Sequence, residues 1–89
     1  MRKCVVQIHG AADGTTTPHD GRYLVAWNPH TKFGTLECTS TDRLWEATQF
    51  DGALDVLNER GVVSSVEPVR PDGKANKPLA ALTITIIPI

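Results

Sequence analysis

The sequence predicts a small α+β domain of order β-β-β-α-β: a mostly antiparallel sheet with one helix packed on one face. Three observations predict it. Apolar residues alternate with polar ones in four separate runs, the period of a half-buried strand. A single stretch between the third and fourth runs has helical spacing instead. The chain has 89 residues, 40% of them hydrophobic, which suffices for one modest core and not for two. Residues 1–89 therefore form a single domain.

The first run covers residues 3–9. Cys4, Val6 and Ile8 point one way; Val5, Gln7 and His9 point the other. A polar loop, 10–21, follows, with three Gly, three Thr and one Pro. The second run is 22–28, with Tyr23, Val25 and Trp27 on one face and Leu24 and Ala26 on the other. The third, 35–40, turns Leu36 and Cys38 inward. Asp42 is placed to cap a short helical turn that would lay Leu44, Trp45 and Ala47 on the sheet. Asp51 then caps a helix over 52–60. There Ala53, Val56, Leu57 and Arg60 recur on one stripe, Leu54 widens it, and Phe50 staples the first turn. Gly61 sits at the C′ position. Residues 62–78 are rich in turn signals and admit an added hairpin strand near 62–69. The last strand is 79–87, with Leu82, Ile84 and Ile86 inward, Thr83 and Thr85 outward, and Pro88 ending it. Pairing of the last strand beside the first gives the order 4-1-2-3, for which a right-handed crossover is expected. One helix covers one face, so the other face is left open and an edge strand is left available for pairing.

Composition narrows the function classes. Nine basic and ten acidic side chains give a net charge of −1, which disfavours a free-standing polyanion binder. Two cysteines are too few for a disulfide-framed fold, so Cys4 and Cys38 read as reduced, packed thiols. The first apolar run, broken by Gln7 and His9, is too short for a signal sequence core, and the last, residues 79–89, is too short for a membrane span. The expected location is cytoplasmic, that of the host cell if the chain is phage-encoded. His9, His19, His30 and the cysteines show no metal-ligand spacing, so neither metal nor cofactor is expected. His19-Asp20 is an acid/base couple by composition, but it sits in a glycine-rich loop that cannot preorganise it.

Charge is segregated along the chain. Residues 37–60 carry six acidic and two basic side chains, a local charge of −4. Asp51, Asp55 and Glu59 recur at i, i+4, i+8, which places them on one helix face able to dock a basic partner. The 70–77 loop carries Arg70, Lys74 and Lys77, is stiffened by Pro71 and Pro78, and displays the amide of Asn76. Such a rigid basic loop loses little entropy on binding an acidic surface. Of the aromatic rings, Phe33 alone sits in a turn.

The stretches Arg22-Tyr23-Leu24-Val25, Leu36-Glu37-Cys38-Thr39-Ser40-Thr41-Asp42 and Ala47, Phe50, Ala53-Leu54, followed by Arg70-Pro71-Asp72-Gly73-Lys74-Ala75-Asn76-Lys77-Pro78-Leu79, resemble small uncharacterised proteins of phages, prophages and mobile elements. The resemblance implies a setting and no reaction: small accessory proteins in that setting often act by binding and blocking a host protein, as anti-CRISPR proteins do. The expected function is thus a non-enzymatic interaction protein, not an enzyme, using Asp51, Asp55 and Glu59, the loop cations Arg70, Lys74 and Lys77, or a sheet edge. A homodimer through that edge is compatible with it. The alternative is a nucleic-acid-binding accessory module built on the 70–77 loop.

Overall fold

The computed structural model describes residues 3–89. Its elements are β1 (Cys4–Ala11), β2 (Tyr23–Asn28), β3 (Glu37–Thr41), α1 (Ala53–Arg60) and β4 (Leu82–Pro88). Short 3-10 turns lie at Leu44–Glu46 and Pro78–Ala81. The strands form one sheet of order β3-β2-β1-β4, antiparallel throughout. The α+β class and the 4-1-2-3 order are those the sequence predicts. The crossover expectation falls: β3 and β4 run in opposite directions, and the handedness rule governs parallel connections only. Among the described residues no helix is long and apolar enough to cross a membrane.

The core lies between the sheet and α1. Cys4, Val6 and Ile8 of β1 meet Leu24, Phe50, Val56 and Leu82, with Cys38, Ile84 and Ile86 packed around them. The opposite face is open: His9, Glu37, Thr39, Thr83 and Thr85 are exposed there. Thr41, two residues on from Thr39, is buried on that face, and so is Val5. Val5 pairs beside Ile87 on that face and is as buried as Ile8.

Two irregularities reshape the sheet. First, β1 and β2 pair at Gln7 and Tyr23, where the 21–22 turn also bonds Ile8, and then splay. Residues 48–50 fill the gap: Phe50 exchanges both backbone hydrogen bonds with Cys4, and the Thr48 amide and hydroxyl reach the Leu24 and Val25 carbonyls. Second, β2 bulges between Leu24 and Ala26. The extra residue reverses the alternation, so Trp27 joins Leu24 on the core face instead of Tyr23 and Val25. Its ring stacks on Phe50 at 5.6 Å between centroids.

Other local expectations are corrected. The helix begins at Ala53 with Gly52 as N-cap and no side-chain cap. Asp51 is drawn away to Lys3. Gly61 is the C-cap residue and keeps a right-handed φ of −83°. Val56 is the buried residue of α1, while Leu54 and Leu57 are 70% and 52% exposed. The stripe is narrower than its spacing because Trp27 and Phe50 already fill the layer under a helix of two turns. Thr41, not Asp42, accepts the Arg43 amide at the first 3-10 turn, and Trp45 stays 77% exposed. Residues 79–81 belong to the second 3-10 turn rather than to β4. No strand forms at 62–69; a single bridge joins Val69 to Ala75.

Candidate functional site

Segment 62–77 has almost no regular structure, so side chains must satisfy its backbone. Three buried polar residues do this. The Ser64 hydroxyl donates to the Thr31 carbonyl at 2.8 Å and accepts the Val66 and Glu67 amides. The Asn76 side-chain amide donates to the Thr31 and Glu67 carbonyls at 3.2 and 2.9 Å. The Asn76 backbone bonds Ser64 and Pro68. The Thr31 hydroxyl closes its own turn on the Thr35 carbonyl at 2.7 Å. Asn76 is therefore no displayed recognition group. It is 3% exposed and ties the basic loop to the β2–β3 turn.

That tie fixes the loop's tip. Arg70 and Lys74 close a tight turn, amide to carbonyl at 2.8 Å. Gly73 supplies the left-handed φ of +85° the turn needs. The Arg70 guanidinium lies 4.6 Å above the Phe33 ring and 3.0 Å from Asp72. Its Nε is buried without a partner.

Opposite stands the start of the first loop. Asp13 accepts the backbone amide of Thr15 at 3.0 Å and its hydroxyl at 2.7 Å. The amide first and the hydroxyl second hold the Asp13 carboxyl below its ordinary range. The Ala12 amide bonds the Ala81 carbonyl at 2.7 Å, anchoring this wall to the second 3-10 turn.

Between the walls lies an open cleft of about 700 Å³. Arg70, Lys74 and Lys77 all line it, together with Phe33, Thr15 and Thr17; Asp13 is the one carboxylate in its lining. The volume falls in the range of ligand sites. No histidine or cysteine lines it, so what it offers is positive potential, hydroxyls and an aromatic edge: the means to hold an anionic group.

The acidic residues fare differently. Asp51 precedes α1 and pairs with Lys3. That hydrogen bond, and then the charge of Lys3, hold the Asp51 carboxyl below its ordinary range. Glu59 accepts the Trp27 indole N–H at 3.2 Å. Asp55 remains exposed. The three do not form one presented helix face. His19 and Asp20 do not meet as a couple either: the His19 ring bonds the Ser40 hydroxyl at 2.7 Å, while Asp20 accepts Thr17. Cys4 and Cys38 are free thiols, and burial pushes the Cys38 thiol up.

Thr31, Ser64 and Asn76 are not legible as a cluster in the sequence, since they lie far apart in it and the 70–77 loop offers Asn76 as a displayed amide rather than a buried one. Phe33 was the partial signal: an aromatic residue in a turn, next to Gly34. Comparison with protein-family models, with curated proteins and with solved structures finds no match.

Proposed function

We propose that this protein is a small non-enzymatic interaction module that binds an acidic segment of a protein partner in the cleft beside the 70–77 loop. One observation carries the reading: Arg70, Lys74 and Lys77 line one cleft whose lining holds a single carboxylate, and while Arg70 is paired with Asp72, no ion pair among the described residues takes Lys74 or Lys77. The loop is stiffened by Pro71 and Pro78 and anchored through Asn76, so little ordering entropy opposes binding. The helix face contributes less, because Asp51 and Glu59 already have partners within the chain. Resemblance to phage and mobile-element proteins supplies the setting, in which the partner is a host protein whose activity the module modulates.

The test is fluorescence anisotropy with three labelled probes: an octaglutamate peptide, an octalysine peptide and a single-stranded oligothymidylate. The glutamate peptide binds, more weakly as salt rises. Double reversal, Lys74→Glu with Lys77→Glu, weakens it at least tenfold, or about 1.4 kcal/mol. Asp55→Lys leaves it unchanged. Binding of oligothymidylate alone, falling steeply with salt, would replace this reading with the nucleic-acid one. That alternative asks for an open ring on which bases stack, and Phe33 has one face under Arg70.

A further inference from the structure

The outer edge of β4 carries a short row of backbone groups that is complementary to itself. Successive residues of an antiparallel strand turn their N–H and C=O to alternate sides. On β1, Cys4 gives both groups to Phe50 and Ile8 gives both to the 21–22 turn, so both turn away from β4. Their partners Pro88 and Ile84, and Ile86 opposite Val6, are thus the widely spaced pairs and turn their own groups outward. The Ile89 amide on the Lys3 carbonyl fits the same alternation. No hydrogen bond among the described residues reaches the outward groups of Ile84 or Ile86 from that side.

The flanking positions are closed. The Leu82 carbonyl accepts Arg60 at 2.8 Å, and its amide donates to Leu79. Pro88 has no N–H to give. The far edge of the sheet is blocked at one position. The Leu24 carbonyl goes to Thr48, so Ser40, paired opposite Leu24, faces outward, and Arg22 takes the Ser40 carbonyl at 2.9 Å.

We propose that β4 pairs antiparallel with β4 of a second copy of this chain about a two-fold axis at Thr85. In this register Ile84 faces Ile86 of the second copy, and the symmetric pair does the same, so every outward group of both residues is satisfied. Pro88 falls opposite Leu82 of the second copy, whose amide and carbonyl are already taken, so the Pro88 carbonyl is the one outward group the register leaves without a strand partner. An axis at Ile84 would set Ile86 against the closed Leu82; an axis at Ile86 would set Ile84 against Pro88. Only the Thr85 register satisfies every outward group of Ile84 and Ile86. It also joins Ile84 to Ile86 across the axis on the core face, extending the apolar row, and carries the sheet through eight strands. Apart from Pro88, the edge from Leu82 to Ile87 holds no charge or proline that would blunt such pairing.

Light scattering across a concentration series tests this, with a mass approaching twice 9.7 kDa expected. Thr85→Lys sets two like charges face to face at an exposed position and weakens association at least tenfold. In a Cys38→Ala background, Thr85→Cys cross-links under mild oxidation, because paired residues at the axis lie within disulfide reach. Thr39→Cys on the far edge, in the same background, does not. A 9.7 kDa species at every concentration, or cross-linking through Thr39→Cys and not Thr85→Cys, would overturn the proposal.

Discussion

The two halves of this molecule are held together by different forces. In the sheet-and-helix half the buried residues are mostly apolar, Val5, Val6, Ile8, Leu24, Phe50 and Leu82 among them, with Thr41 at the end of β3 the polar exception. In the loop half the buried residues include Thr31, Ser64 and Asn76, while Val63, Val66 and Val69 stand exposed. The first half spends its backbone groups on ladders, so its side chains are left to exclude water. The second has one bridge, so polar side chains must go inside to meet the backbone. The cleft sits on the second half. A hydrogen-bonded frame places charged tips at defined positions without covering them.

The contrast can be broken from either side. The largest effect is expected from Ile8→Ala, which opens a cavity at a fully buried position. A loss of about 2–5 kcal/mol should appear in urea unfolding, with protection falling across the sheet amides. Asn76→Ala comes next. It strands the Glu67 carbonyl and leaves the Thr31 carbonyl with the Ser64 hydroxyl as its remaining side-chain donor, for about 1–3 kcal/mol. Hydrogen exchange should accelerate in residues 62–77 more than in β1, and acidic-peptide binding should fall with it. Equal acceleration in both halves would show that they open as one cooperative unit and would sharpen the comparison into a single structure with two kinds of bond.

The smallest effect is that of pH. Asp13 and Asp51 are both held below the ordinary value of 3.8, Asp13 by the Thr15 amide and hydroxyl, Asp51 by Lys3. A carboxyl lowered by folding stabilises above its unfolded value and loses that contribution as pH falls through the folded one. Lys3 is raised above 10.5, first by its hydrogen bond to Asp51 and then by that charge. Its contribution is complete below 10.5 and lost as pH rises through the higher folded value. The urea midpoint should therefore be flat near neutrality and decline below pH 3.8. Asp51→Asn should shallow the acid decline slightly, since both Lys3 and Asp51 are more than half exposed.

The charge pattern teaches the same lesson from the other direction. Asp51, Asp55 and Glu59 have ideal spacing for one helix face, yet the helix starts two residues after Asp51, and Glu59 turns to Trp27. Arg70, Lys74 and Lys77 have no periodicity, yet they line one cleft. Spacing predicts a shared face only inside the element that gives the spacing its meaning.

The sequence by itself determined the α+β class, the four strands, the inward rows of β1, β3 and β4, and the position of the one helix. Each depends on local periodicity, which the backbone imposes on any solvent-facing layer. Only the tertiary structure decided the Thr48–Phe50 insertion between β1 and β2, the bulge that sends Trp27 into the core, and the buried knot of Thr31, Ser64 and Asn76. These join residues tens of positions apart, and their free energy exists only once the chain has closed on itself.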